Sequence, residues 1–274
     1  MIIGSKNFDL DNNCYIMGIL NVTPDSFSDG GKFNQIDKAL FHTEQMISEG
    51  ADIIDIGGES TRPNYTQISN EEEISRTVPV IEAVKQRFDI PVSLDTYKYK
   101  VAECGIKAGA DMINDIWGLQ YDNGEMAELV AKSKLPCCLM HNRKNTDYTN
   151  FRENVVSDME RVISTALSAG IDNSKIILDY GVGFAKTYQN NLETINSIDF
   201  FRSKLHYPVL LGTSRKSVIG IALNLPSDQR TEGTVATTVA GAMKGASIFR
   251  VHDVKENFRA LKMIMAIMKG GKNG

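Results

Sequence analysis

Short apolar runs recur along the chain without alternating with polar residues, and each is followed by a longer segment whose apolar positions fall three and four apart. A run that is apolar on both faces predicts a strand covered on both sides, as in a parallel sheet, and the longer segments predict amphipathic helices. The strands are expected at 15–20, 52–56, 91–94, 111–116, 136–140, 175–178, 208–212 and 247–251. Helices are expected at 36–49, 69–88, 98–108, 124–133, 150–169, 189–203, from 217, at 232–244 and at 257–268. Gly50 would end the first helix as its C-cap, and Ser69 with Glu72 three residues on resembles a capping box. Glu71, Glu72 and Glu73 would complement the dipole of that helix. Residues 1–13 read as a short hairpin with Asp11, Asn12 and Asn13 as turn material. Strand and helix alternate to the end with no linker. This predicts one domain over residues 1–274, a (β/α)8 TIM barrel with an N-terminal hairpin.

Composition narrows the class. The 274 residues are 42% hydrophobic and 23% charged, enough apolar material for a barrel core. The formal net charge of −4 argues against a general nucleic-acid binder. No run approaches the length of a membrane span and no apolar segment follows a basic start, so a cytoplasmic protein without a membrane partner is expected. Cys14, Cys104, Cys137 and Cys138 lack C-x-x-C spacing. They are expected reduced, with Cys137 and Cys138 on opposite faces of one strand.

Candidate chemistry collects at the C-terminal strand ends: Asn21, Asp55, the 59–62 loop, Asp95, Asn114 with Asp115, His141, Asp179, Lys216, and Arg250 with His252. In a barrel of this kind these ends form one mouth, where active sites sit. Asp95, Asn114, Asp179 and Lys216 offer two carboxylates, an amide and an ammonium, a set suited to the edge of a flat nitrogen heterocycle. Arg250 and His252 are two apart, so on a strand they share a side. With Asn21, Thr61 and Arg62 they suit a polyanion such as pyrophosphate, beside which Mg2+ finds oxygen ligands. After Gly212, the stretch Thr213, Ser214, Arg215, Lys216, Ser217 places two cations and three hydroxyls at a helix start, an expected anion site. Two long glycine-bearing loops, at 21–31 and 57–64, have the composition of closing lids.

The motifs NVTPDSFSDGG, GGESTRP, LDTYK, INDIWG, LMH, GVGFAK, SRKSVIG, RTEGT and ASIFRVHDV, in this order, resemble the dihydropteroate synthases over nearly the whole chain. The resemblance implies condensation of 6-hydroxymethyl-7,8-dihydropterin pyrophosphate with 4-aminobenzoate, giving 7,8-dihydropteroate and pyrophosphate in folate synthesis. It also implies inhibition by sulfonamides, which mimic the aminobenzoate. By matching motif, Asp95, Asn114, Asp179 and Lys216 correspond to pterin-binding residues and Asn21 to a Mg2+ ligand. Arg250 and His252 correspond to the pyrophosphate anchor, with Asp95, Lys216, Arg250 and His252 the groups nearest the chemistry. Asp29, Thr61 and Arg62 correspond to loop residues that close over the reaction. Phe27, Pro63, Phe184 and Ser217 match positions around aminobenzoate. A homodimer is implied by the family alone.

Three departures stand out. Tyr180 follows Asp179 where the family usually has proline. Asn142, Arg143 and Lys144 replace the pattern common after the fifth strand, and Asn64 replaces a glycine. A methyltetrahydrofolate–corrinoid methyltransferase would share the pterin-binding barrel, but it has no need of the first loop, SRK or RVHD. A non-catalytic pterin-binding homologue would have lost loop or anchor residues, and here they are intact.

Overall fold

The computed structural model describes residues 1–23, 32–60 and 66–270. Eight parallel strands close into a barrel in chain order: β3 (Tyr15–Asn21), β4 (Ile53–Gly57), β5 (Val92–Asp95), β6 (Met112–Asp115), β7 (Cys137–Met140), β8 (Ile176–Asp179), β9 (Val209–Leu211) and β10 (Ile248–Val251). β10 pairs back onto β3, with Ile248 opposite Tyr15 and Val251 opposite Gly18, so no sheet edge is left open. The expected (β/α)8 barrel is the observed fold.

The helices of the described residues are α1 (Lys32–Glu49), α2 (Asn70–Arg87), α3 (Tyr99–Lys107), α4 (Glu125–Ser133), α5 (Phe151–Ser168), α6 (Tyr188–Asn196), α7 (Ile198–Leu205), α8 (Ser217–Leu223), α9 (Thr231–Met243) and α10 (Val254–Gly270). Ser69 caps α2, its Oγ accepting from the Glu72 backbone N–H at 3.1 Å. Glu73 does more than complement the dipole: it is buried, with Oε2 2.8 Å from Lys98 Nζ. The helix expected at 189–203 is two helices, because the buried Ser197 leaves helical geometry at φ −110°, ψ 15°. α6 has a reciprocal capping box between Thr187 and Asn190. α10 begins at Val254, before the expected 257.

The hairpin β1 (Ile2–Ile3) and β2 (Lys6–Asn7) turns at Gly4, whose φ of +58° suits glycine. Asp11, Asn12 and Asn13 are not its turn. They follow it in a second turn held by Asp9, whose Oδ1 accepts from the Asn12 N–H at 3.3 Å and whose carbonyl accepts from Asn13 at 3.0 Å.

Strand periodicity sorts the core into two layers. Ile16, Leu20, Ile54, Leu94, Ile113, Cys137, Leu139, Leu178, Val209 and Phe249 face outward and pack with the helices. Met17, Ile53, Met112, Cys138, Ile177, Leu210 and Ile248 face the barrel interior, where Ile3, Phe8 and Leu10 from the N-terminal segment close it from below. The adjacent cysteines thus fall in different layers, both free, with burial pushing the Cys137 thiol up to about 12.

Candidate active site

The inward face of each strand carries the site directly above the apolar interior. Two residues beyond an inward apolar side chain stands the next inward position: Asp55 above Ile53, Asn114 above Met112, Asp179 above Ile177, Gly212 above Leu210 and Arg250 above Ile248. Asn21 and Asp95 share this row through the register Asn21–Gly57–Asp95–Asn114 across β3 to β6. Parity also corrects the expectation that every polar strand end points into the mouth. Asp115 faces the other way and caps a turn, accepting from the Trp117 and Leu119 N–H groups at 2.8 Å each. His141 likewise lies behind the pocket, with Nε2 3.0 Å from Asp158 Oδ2. Glu59 is tied up by Tyr97 OH at 2.5 Å, Lys98 Nζ at 2.6 Å and the Ile68 N–H at 2.8 Å.

Arg250 is the hub. Its Nε donates to Asp55 Oδ2 at 2.6 Å and Nη2 donates to Asp95 Oδ2 at 2.6 Å. Asp55 is fully buried and also faces Asn114, whose Nδ2 lies 3.3 Å from Oδ2. Burial opposes the Arg250 charge, but the two carboxylates overcome it and hold the guanidinium well above its ordinary value. Burial also pushes Asp95 up to about 7; Arg250 works against this and the neighbouring Asp55, Glu73 and Asp115 add to it.

Across the mouth, Asp179 accepts from the Gly181 N–H at 2.7 Å through Oδ1. Burial raises its carboxyl, with Lys216 opposing. Lys216 Nζ donates to the Val182 carbonyl at 2.5 Å and lies 4.8 Å from the Phe184 ring centroid. Burial lowers Lys216 to about 8, with Asp179 the main opposing charge. Gly212 marks the shared space: a Cβ there would lie 3.7 Å from Asp179 Oδ2, 3.9 Å from Lys216 Nζ and 3.9 Å from Arg250 Cβ. Tyr97, Ile116 and Met140, with Trp117 and Phe184, form an apolar cluster at this end of the barrel.

The anion site expected at 213–217 is narrower than its residue list. Arg215, at φ +57°, turns away to Asp253, with Nε 3.1 Å from Oδ2. Thr213 Oγ1 pairs with Thr237 at 2.7 Å, and Ser214 Oγ lies 2.9 Å from His252 Nδ1. Lys216 and the exposed Ser217, the first residue of α8, are left for a ligand. His252 lies just past the end of β10, so its place is set by Ser214, not by strand parity. The structure therefore brings Asn21, Asp95, Asn114, Asp179, Lys216, Arg250 and Phe184 to one end of the barrel. Phe27, Asp29, Thr61, Arg62, Pro63 and Asn64 lie outside the described residues.

The described residues would hold a metal here as an ion shared with substrate. Among the described residues no group of three or more His, Cys, Asp or Glu side chains could hold one. Arg250 takes one oxygen from each of Asp55 and Asp95, and the Asn21 amide oxygen adds a neutral donor beside them. Mg2+ accepts such an arrangement, taking its other ligands from substrate phosphates and water.

Residues 17–252 match the family model described as pterin binding enzyme. The dihydropteroate synthase of Clostridium beijerinckii is 60% identical over 270 residues, covering 98% of this chain and all of the relative. The chain belongs to the pterin-binding enzymes, among the dihydropteroate synthases. The dihydropteroate synthase of Clostridium difficile, solved in the presence of pteroic acid, is similar with a TM-score of 0.92 and 49% identity, covering 95% of this chain and 99% of its own. That of Xanthomonas albilineans with 4-aminobenzoic acid gives a TM-score of 0.89 and 39% identity, covering 94% of each chain.

In this pterin-binding enzyme Asp55 was left without a role by sequence reasoning, although its signal is visible: a carboxylate inside the otherwise apolar run of β4, at the inward position after Ile53. Ser214, expected as a hydroxyl of the anion site, instead holds His252, and Lys186, in the GVGFAK motif without an assigned role, holds the loop after β8.

Proposed function

We propose that this chain condenses 6-hydroxymethyl-7,8-dihydropterin pyrophosphate with 4-aminobenzoate to give 7,8-dihydropteroate and pyrophosphate, a step of folate biosynthesis. The supporting observation is the inward row Asp95, Asn114 and Asp179, with Lys216 brought beside Asp179 at Gly212 and Arg250 linking that side to Asp95. Asp95 keeps Oδ1 and Asp179 keeps Oδ2 for ring N–H groups, because their other oxygens are taken by Arg250 and Gly181. Asn114 and Lys216 supply donors to ring nitrogen or carbonyl acceptors. The apolar cluster with Phe184 offers a face for the flat ring.

In this reading the methylene C–O bond to pyrophosphate breaks first, and the methylene cation is delocalised into the dihydropterin. Charge develops on the departing pyrophosphate, where Arg250 and His252 stabilise it; two of the five Arg250 donors hold Asp55 and Asp95, which leaves the others for the pyrophosphate in this reading. Mg2+ held by Asn21 and the pyrophosphate would add further charge neutralisation when bound. The arylamine then attacks, and the resulting arylammonium sheds its proton without a dedicated base. Ser217 at the start of α8, with Phe184, is assigned to the aminobenzoate carboxylate and ring; Phe27 and Pro63 complete that site, and Thr61, Arg62 and Asp29 close over it. These roles rest on motif matching. A homodimer and a cytoplasmic location are part of the same proposal; among the described residues no helix is long and apolar enough to cross a membrane.

The test is incubation of the pure protein with pterin pyrophosphate, labelled 4-aminobenzoate and Mg2+. Labelled 7,8-dihydropteroate with equimolar pyrophosphate is expected, and its absence from active-site-saturating substrate overturns the reading.

A further inference from the structure

Behind the pocket lies a polar cluster that no step of the reaction uses. Lys186 Nζ lies 2.9 Å from His141 Nδ1 and donates to the carbonyls of Gly181 at 3.0 Å and Phe184 at 3.2 Å. Its neighbours settle the tautomer of His141. Burial pushes His141 down to about 4, so the ring is neutral; the carboxylate of Asp158 only accepts, so Nε2 carries the proton and Nδ1 is left to accept from Lys186. Arg143 shares Asp158 Oδ2 with His141, and Arg161 pairs with the other oxygen, Oδ1. The loop these groups hold is pinned again by Asn191, whose Oδ1 accepts from Gly183 N–H at 2.5 Å, and by Tyr148, whose hydroxyl donates to the Ala185 carbonyl at 3.0 Å.

The front of the same loop meets the ligand-facing residues. Gly181 N–H donates to Asp179, Val182 O accepts from Lys216 Nζ, and the Phe184 ring lies beside that ammonium. The fit is close. A Cβ on Gly183 would approach Lys216 Cδ to 3.1 Å, and one on Gly181 would meet the His141 carbonyl oxygen at 2.0 Å. Lys186 thus fixes two carbonyls that bracket the one carbonyl holding Lys216.

We propose that Lys186, seated on His141 and Asp158, is a positioning residue that sets where the Lys216 ammonium stands in the pocket. The inference rests on the pterin reading above. Removing Lys186 releases the Gly181 and Phe184 carbonyls, lets Val182 O move, and leaves Lys216 without a fixed place. The reaction's electrophile stays intact, so the effect falls on pterin recognition.

Calorimetric titration with pteroic acid of the wild type, Lys186→Met, Lys216→Met and the double variant tests this, with Tm measured on each. Lys186→Met should weaken binding about tenfold, and little further loss should appear when Lys216 is already methionine. In steady state the KM for pterin pyrophosphate should rise by more than that for 4-aminobenzoate, whose proposed site shares only Phe184 with this loop. Equal losses from Lys186→Met in both backgrounds would show a general structural role and overturn the proposal. Should Lys186→Met not fold, Tyr148→Phe, which takes one hydroxyl from the same loop, goes through the same cycle. A smaller loss that vanishes beside Lys216→Met supports the clamp, and unchanged affinity counts against it. A wild type that does not bind pteroic acid, with Tm intact, overturns the pterin reading itself and the clamp with it.

Discussion

The interior of the barrel has two halves built on the same strands. Below, Met17, Ile53, Met112, Ile177, Leu210 and Ile248 are packed together and sealed by Ile3 and Phe8. One inward step higher, Asp55, Asn114, Asp179 and Arg250 take their place. The strand geometry is the same in both; only the surroundings differ. The lower half is covered on every side, so its side chains gain by leaving water. The upper half is just as dry at Asp55, which is fully buried, yet it keeps charge, because Arg250 answers two carboxylates at 2.6 Å each. A buried pair of this kind is poor as a stabiliser relative to apolar packing, and costly when one partner is removed. Its presence over an apolar floor marks where the chain gives up stability to hold a ligand.

The comparison breaks first at Arg250. Arg250→Met leaves Asp55 and Asp95 facing each other without a cation. Turnover should fall about 10²–10³-fold, as for loss of a donor to developing negative charge. Stability should fall by roughly 3 kcal/mol, and a second change, Asp55→Asn, should return much of the Tm without the activity. Thermal melts and steady-state rates on the two proteins settle this.

A matched pair then separates the halves. Ile177→Ala removes floor and should cost about 2–5 kcal/mol of stability, with the KM of the folded enzyme unchanged. Gly212→Ala sits one inward step above Leu210, where a Cβ meets nothing closer than 3.7 Å. The methyl group fits the empty protein but occupies ligand space, so Tm should hold while pteroic acid binding weakens about tenfold, roughly 1.4 kcal/mol. If the two variants exchange effects, the division into floor and site is wrong.

The pH response sharpens the same contrast. Asp95 stands at about 7 in the folded protein, above its ordinary 3.8, so between those values the folded state holds the proton more tightly. Stability contributed by this group is therefore present at low pH and is lost as pH rises from about 4 to about 7. Asp95→Asn should flatten that slope. For binding, the ionised carboxylate is the one that accepts from the pterin ring, so kcat/KM should rise through about 7. It should fall again near 8, where Lys216 loses its proton. A profile flat from pH 6 to 9 in the wild type would remove both groups from pterin recognition.

Much of this was legible along the chain. Apolar runs and helical spacing located all eight barrel strands, since a parallel barrel hides both strand faces and no alternation competes with that signal. Adjacent residues at one strand end were harder. Asn114 and Asp115, or Met140 and His141, fall on opposite faces, and only the register says which is inward. Arg215 beside Lys216 was misread for a related reason: a positive φ reverses the chain there and sends the guanidinium to Asp253. Lys186 was invisible because its partners are backbone carbonyls and a histidine 45 positions away.

The smallest expected effect concerns the departure at Tyr180. Its ring is buried against Phe201, with centroids 4.7 Å apart, so the aromatic body is used where the family usually has proline. Its hydroxyl has no hydrogen-bond partner among the described residues, and burial pushes its pKa well up. The turn after Asp179 does not depend on that hydroxyl, because Gly181, at φ +67°, closes it onto Asp179 Oδ1. Tyr180→Phe keeps the ring contact and deletes a desolvated polar atom, so it should stabilise by up to ~1 kcal/mol, with kcat and both KM values unchanged. Chemical denaturation resolves a change of that size. A loss of stability would mean that the hydroxyl holds a buried water, and the fit of tyrosine at this position would then rest on a polar contact and not on its ring.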